Sequence, residues 1–146
     1  MIAIDTNVLL RYLLEPVDQN NPKWQVQKAQ DIINQTHKVF LSDIVIAESE
    51  WVLESVFNCN RKEIHLLIHT LANNSKFQFE DWKALNNALL DYKEYSKVDL
   101  SDCLIARRAA NKGASTLYTF ESIQKLGALP VATTIHRTNS PASSKT

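Results

Sequence analysis

An acidic residue, Asp5, stands at the end of the first apolar segment of the chain, which opens MIAIDTNVLL. An apolar segment this short is typical of a buried strand, and the side chains of Thr6 and Asn7 are of the kind that begins a helix. Asp5 is therefore predicted at the carboxyl end of a strand, which is where open α/β sheets bind their ligands. The alternative is that Asp5 only caps the following helix, and this segment alone leaves both interpretations open.

A second acid, Glu48, lies in a segment that Ser42 is predicted to cap as a helix. Helical spacing places Glu48 on one face with Ile44 and Trp51, so that it interrupts an apolar stripe. An ionised carboxylate on a core-facing stripe is costly unless it is paired or binds a metal ion. The alternative for Glu48 is a buried ion pair or a place at the edge of the core, and Glu50 is expected to project from another part of the surface.

Two more acids, Asp99 and Asp102, lie in the segment VDLSDCLIARRAA. Asp102 is predicted to share a helical face with Ile105 and Ala106, so that a carboxylate again heads an apolar stripe. The alternative is capping, with Asp99 as the N-cap and Asp102 in the first turn, because both positions are favourable near the positive end of a helix dipole.

A further acid, Glu121, follows a predicted strand in the segment LYTFES, with Thr119 two residues before it. This context matches that of Asp5, although a single Glu in such a place is usually a solvated loop residue. If Asp5, Glu48, Asp102 and Glu121 meet, two carboxylates about 4 Å apart repel each other by roughly 4 kcal/mol at an effective dielectric constant near 20. Such a cluster requires a divalent cation or protonation of some members. Oxygen ligands favour Mg²⁺ or Mn²⁺ over zinc, and these ions serve phosphate chemistry by activating water.

Basic and aromatic residues provide candidate contacts to a substrate. Arg11 follows Asp5, and Arg107 and Arg108 follow Asp102, so these cations could bind phosphates around an acidic centre, or simply form a solvated face. The tryptophans are expected mainly in the core as parts of amphipathic helices, with stacking on bases left open. They are Trp24, Trp51 and Trp82.

The composition predicts one reduced, cytoplasmic domain. The 146 residues are 45% hydrophobic and 22% charged, and the formal net charge is zero, so a nucleic-acid partner would require a local basic patch. Cys59 and Cys103 are too far apart and too few for a zinc site or a disulfide scaffold. The chain contains no membrane-spanning run and no signal peptide at its start.

Short apolar runs alternate with longer amphipathic ones, which predicts an α/β domain over residues 1–133 with a largely parallel sheet, followed by a polar tail over 134–146. The predicted strands are 1–4, 39–41, 77–79, 116–119 and 129–132. The predicted helices are 6–14, 24–35, 43–57, 61–73, 82–92, a helix from Asp99 or Ser101 to near Gly113, and a short helix over 120–126.

The acidic segments together resemble the PIN domain family. The resemblance consists of Asp-Thr-Asn after the first strand, AESEWVL around Glu48, DLSDCLIA around Asp99 and Asp102, and Thr-Phe-Glu after the penultimate strand. It covers about residues 1–133 in the expected order. Among PIN proteins, the chain is most similar to the VapC-type toxins of bacterial toxin–antitoxin pairs.

This resemblance implies a three-layer α/β/α fold with a central, mostly parallel sheet. It implies a Mg²⁺- or Mn²⁺-dependent endoribonuclease that is usually dimeric and is inhibited by a cognate antitoxin. Asp5 and Asp102 become the main metal ligands, Glu48 the third acid and Asp99 an additional acid. The hydroxyl groups of Thr6 and Thr119 would lie beside the metal-bound water.

The chain departs from the family at Glu121, where the usual residue is Asp. The additional methylene group leaves open whether one or two metal ions take part. Two other functions therefore remain open: a PIN-like module that only binds RNA or a protein partner, and a metal-dependent hydrolase of small phosphoesters. The phosphatases with an Asp-x-Asp motif require an acid where this chain has Asn7.

Overall fold

The computed structural model describes residues 1–15 and 21–137. These residues group into two compact units, Met1–Asn86 and a second unit that begins at Asn87. None of the helices in the two described ranges is long and apolar enough to cross a membrane. The predicted polar tail lies outside the described residues from position 138 onward.

The first unit alternates short strands with helices, as the sequence predicts. Its elements are β1 (Ile2–Ala3), α1 (Thr6–Leu13), α2 (Lys23–Asn34), β2 (Val39–Leu41), α3 (Asp43–Ser55), α4 (Arg61–Ala72), β3 (Phe77–Phe79) and the start of α5 (Trp82–Glu94). The strands form a parallel sheet in the order β1-β2-β3, with Ile2 opposite Val39 and Val39 opposite Phe77. Parallel neighbours need long crossover connections, which explains the helices between them.

Side chains at the starts of two helices explain why α3 and α4 begin where they do. Ser42 Oγ accepts a hydrogen bond from the backbone N–H of Val45 at 3.2 Å. Asn60 and Glu63 form a reciprocal capping box at the start of α4. These bonds satisfy backbone donors that have no partner inside the helix. The predicted cap residue Ser42 is therefore confirmed, and Asn60 caps α4 in the same way.

The buried face of α3 differs from the predicted one. Ser49 and Glu50 are buried, whereas Ile44 is 71% exposed and Trp51 is 69% exposed. Glu48 lies on the exposed side with them. The prediction of a core-facing stripe is wrong because apolar residues at helical spacing define a face without showing that anything covers it.

The tryptophans are also more exposed than predicted. Trp24 is 67% exposed and Trp82 is 54% exposed. The indole N–H of Trp82 donates to the carbonyl of Ala72 at 2.6 Å, so this side chain joins α5 to the end of α4. The core of the first unit is aliphatic instead. It includes Leu9, Leu10, Ile33, Leu41, Ile46, Leu53, Ile64 and Ile68.

The second unit contains the remainder of α5, then α6 (Leu100–Asn111), β4 (Leu117–Thr119) and β5 (Ala132–Thr134). Strands β4 and β5 are parallel neighbours. Helix α6 ends as predicted, because Gly113 adopts a φ of 88°, a left-handed conformation that suits glycine after a helix. The α/β class with parallel strand pairing is thus observed in both units.

The segment between β4 and β5 is not the predicted helix and strand. Only Leu126–Ala128 forms a short 3-10 helix, and the last strand begins three residues later than predicted, at Ala132, and ends at Thr134. The Ser122 hydroxyl and carbonyl both accept backbone N–H groups, which favours turns over a helix. Pro130 lacks an N–H group and cannot donate to a strand ladder.

Candidate functional site

Asp5 lies two residues after β1 and is the N-cap of α1. Its Oδ1 accepts a hydrogen bond from the backbone N–H of Val8 at 3.1 Å, and its side chain is exposed. The capping role that the sequence left open is therefore observed. This bond uses Oδ1, so a role for Oδ2 as a ligand is compatible with it and stays a prediction.

Glu48 is connected to the start of α1 by a side-chain hydrogen bond. The hydroxyl of Thr6 donates to Glu48 Oε1 at 2.8 Å. Because Thr6 is adjacent to Asp5, this bond holds the α3 carboxylate against the first turn of α1. Asp5, Thr6 and Glu48 are called the first acidic group. The predicted hydroxyl of Thr6 is thus an orienting group for Glu48.

The second unit contains its own acidic group, formed by Asp99, Asp102 and Glu121. Asp102 is half-buried. Its pKa is raised above the ordinary value, first by loss of hydration and then by the negative charges of Asp99 and Glu121. Asp99 and Glu121 are therefore each close enough to Asp102 to disfavour its negative charge. Asp99 occupies the N-cap position of α6 but its side chain makes no capping hydrogen bond, so capping does not explain this acid.

The backbone of Glu121 is fixed on both sides. Its N–H donates to Thr119 Oγ1 at 2.9 Å, and its carbonyl accepts from Thr134 Oγ1 at 2.9 Å. A Cβ atom at Gly127 would collide with the Thr134 side chain and the Ser122 carbonyl, so this loop closes tightly. The Glu121 side chain remains exposed on a defined backbone.

The arginines predicted to contact a substrate differ in the contacts that they make within the protein. Arg107 forms a two-point ion pair with Asp91, in which Nε and one terminal nitrogen lie 2.7 and 2.9 Å from the two carboxylate oxygens. This hydrogen bonding raises the pKa of Arg107. The pair joins α5 to α6 within the second unit, so Arg107 is a structural residue here. Arg108 is half-buried, and Arg11 donates from Nε to Gln25 Oε1 at 2.7 Å.

Sequence reasoning missed a groove between α1 and α2 that begins at Asp5. Its volume is about 320 Å³. The groove is lined on the α2 side by Trp24, Lys28 and Ile32 and on the α1 side by Arg11. The i, i+4, i+8 spacing of the three α2 residues was a usable signal, because it places an aromatic, a cation and an aliphatic side chain on one stripe.

Carboxylates dominate both acidic groups, and oxygen donors of this kind suit Mg²⁺ or Mn²⁺. The pKa of Asp102 is raised first by burial and then by the negative charges of Asp99 and Glu121, and a bound cation would offset those charges. Within residues 1–15 and 21–137, no set of three or more His, Cys, Asp or Glu side chains is arranged to hold a metal ion. The donor chemistry therefore fits a divalent cation, and the ligand set stays a prediction.

Comparison with protein families identifies the family of the chain. The family model described as PIN domain matches residues 2–126. The chain belongs to the PIN domain family. The match includes Asp5, Glu48, Asp99, Asp102 and Glu121, and it confirms the α/β fold class. No curated protein matches the chain. PIN domains are generally nucleases that use divalent metal ions, so this chain carries the family fold of a metal-dependent nuclease.

Proposed function

We propose that this PIN domain is an endoribonuclease that hydrolyses RNA phosphodiester bonds with Mg²⁺ or Mn²⁺ and without a protein nucleophile. One observation in particular supports the proposal. Burial, and then the negative charges of Asp99 and Glu121, raise the pKa of Asp102, as expected where acids are gathered for a cation. Membership of the PIN family supplies the reaction class.

In this proposal, carboxylates from both acidic groups serve as metal ligands. Asp5 and Asp102 are the main ligands, and Glu48 and Asp99 assist them. When bound, the cation supplies charge neutralisation at the phosphate and activation of the attacking water. Thr6 orients Glu48 through its hydroxyl. Asp102 must lose its proton before it can act as a ligand, and its raised pKa makes this loss dependent on pH.

The biological role that we propose is that of a toxin in a toxin–antitoxin pair. The support is the resemblance of residues 1–133 to PIN domains, and among these to VapC-type proteins. The same similarity supports a cytoplasmic homodimer inhibited by a cognate antitoxin. A neighbouring gene for a small DNA-binding protein with a flexible tail would support this role.

The experiment is a cleavage assay with the purified full chain and a fluorescent RNA. We expect cleavage with Mg²⁺ or Mn²⁺ and none with EDTA. Asp5→Asn should lower the rate at least about 100-fold, since loss of a ligand exceeds the 10- to 100-fold cost of losing an outer-shell partner. Asparagine is as good an N-cap as aspartate, so the fold should be kept. Glu54→Gln, an exposed acid on α3, is the matched control.

Three results would contradict the proposal in different ways. RNA binding without metal-dependent cleavage would favour the binding module, which Glu121 in place of Asp keeps open. Hydrolysis of p-nitrophenyl phosphate without any cleavage of RNA would favour a small-molecule phosphoesterase. Cleavage by Asp5→Asn at the wild-type rate would remove Asp5 from the mechanism.

A further inference from the structure

The groove between α1 and α2 combines features that the metal chemistry does not use. It begins at Asp5 and has a volume of about 320 Å³. Arg11 of α1 and Lys28 of α2 both line it. Its side chains therefore provide two cations next to one carboxylate of the first acidic group. A cationic groove that leads away from an acidic centre suits a ligand with several negative charges.

Trp24 gives the groove an aromatic surface. Its indole is 67% exposed on the stripe that also contains Lys28 and Ile32. The indole N–H of Trp82 is bonded to a backbone carbonyl. The indole of Trp24, in contrast, forms no hydrogen bond or ring contact with other described residues. An exposed indole beside cations is the combination that binds unpaired bases, because stacking needs a free aromatic face and the phosphates need positive charge.

The cations are placed for phosphate contact. Gln25 accepts from Nε of Arg11 at 2.7 Å, which fixes the plane of the guanidinium and leaves its terminal N–H groups for other acceptors. Lys28 is exposed and makes no ion pair with the described residues. Together they offer one fixed and one flexible donor.

We propose that this groove is a nucleotide subsite for single-stranded RNA. One unpaired base stacks on Trp24, and the adjoining phosphates contact Lys28 and Arg11. This inference rests on the proposed function and adds a substrate class to it: the RNA must be unpaired at this position. Bases inside an A-form duplex are stacked on each other and cannot present a face to the indole.

The test is binding of a labelled single-stranded oligoribonucleotide in EDTA, measured by fluorescence anisotropy, so that cleavage does not interfere. Trp24→Leu keeps an apolar side chain but removes the aromatic face, and we expect it to weaken binding roughly 5- to 100-fold. Trp24→Phe should restore most of the affinity. Binding of a duplex of the same sequence should be equal for the wild type and Trp24→Leu.

Lys28→Gln provides an independent test on an exposed residue whose replacement should not affect folding. It should weaken binding and reduce the slope of log K against log salt concentration by about 0.7, the value for one phosphate contact on a single strand. Lys62→Gln, an exposed lysine on α4, is the matched control and should change neither quantity.

Several outcomes would overturn the subsite. The first two are that Trp24→Leu binds the oligonucleotide as tightly as the wild type, or that Trp24→Phe loses as much affinity as Trp24→Leu. The others are that Lys28→Gln leaves the salt slope unchanged, or that the chain binds an amphipathic peptide but no oligonucleotide. These outcomes can be distinguished from failure of the proposed function. A chain that binds RNA through Trp24 but does not cleave it contradicts only the nuclease, and a chain that cleaves RNA with an unchanged KM in Trp24→Leu contradicts only the subsite.

Discussion

Asp102 is the residue whose surroundings are least favourable to its own charge. Burial removes part of its hydration, and Asp99 and Glu121 add negative potential. Raising the pKa of an acid on folding means that its ionised form destabilises the fold. The folded state binds a proton more tightly than the unfolded state, so stability decreases as the pH rises from the ordinary pKa of aspartate through the raised pKa.

Replacing Asp102 by asparagine should therefore stabilise the metal-free protein. In EDTA at pH 7, we expect Asp102→Asn to melt at a higher temperature than the wild type. The difference should shrink as the pH is lowered below the ordinary aspartate pKa of 3.8, where Asp102 becomes protonated in both states. Thermal melts across this pH range measure the effect, with Glu94→Gln as a control at an exposed acid. A variant that melts well below the wild type at pH 7 would show that this carboxylate is structural.

At the scale of single residues, the sequence indicates which acids are unusual. It predicts less well what surrounds each of them. Asp5 is at the end of a strand and in the cap position, as predicted. Glu48 is exposed and bonded to Thr6 instead of lying on the core. The hydrogen bond joins residues 42 positions apart, and no local spacing contains that information.

At the scale of elements, α3 offers a matched pair of serines. Ser42 caps the helix through Oγ. Ser49 is buried, and its Oγ has no hydrogen-bond partner among the described residues. Substitution by alanine should therefore affect the free energy of unfolding differently at the two positions. At Ser42 it removes a hydrogen bond, whereas at Ser49 it removes a buried hydroxyl that has no partner.

Ser42→Ala should lower the free energy of unfolding by about 1 kcal/mol. Ser49→Ala should leave it unchanged or raise it, since a buried hydroxyl without a partner costs about 1–3 kcal/mol and alanine favours a helix. Urea unfolding of both variants, with the slope checked for constancy, gives the comparison. Equal destabilisation by the two substitutions would mean that the Ser49 hydroxyl is satisfied in solution.

The elements themselves were predictable wherever their signals are local. Ser42 and Asn60 identify helix starts because a cap acts within three residues of itself. The segment after β4 was not predictable in this way. Its path depends on Thr134 bonding back to Glu121, 13 positions earlier in the chain, and on the small volume of Gly127 beside Thr134.

At the scale of the whole molecule, the proposed binding of a divalent cation has a thermodynamic consequence. A cation that binds only the folded chain stabilises it by about 2.7 kcal/mol at 100 times its dissociation constant. For a chain of this size, that is a rise of several degrees in melting temperature. Mn²⁺ or Mg²⁺ should therefore raise the melting temperature of the wild type.

The variants assign this rise to one group or to both. Asp5→Asn in the first unit and Asp102→Asn in the second should each reduce the metal-induced rise, whereas Glu54→Gln should not. A full rise in Asp5→Asn together with none in Asp102→Asn would confine the cation to the second acidic group. Calorimetric titration with Mn²⁺ gives the stoichiometry for the same three variants.

Asp5 caps α1 and is also a proposed metal ligand, and these two roles together constrain how this position can change over evolutionary time. One carboxylate oxygen caps α1 by accepting from Val8, which asparagine, serine or threonine also do well. Only a carboxylate brings the negative charge that the proposed chemistry needs. A lineage released from selection for RNA cleavage should drift at this position toward cap-forming residues and away from alanine, because its helix still needs an N-cap. Descendants that keep the fold but lose the reaction should therefore be recognisable by a neutral capping residue where this chain has Asp5.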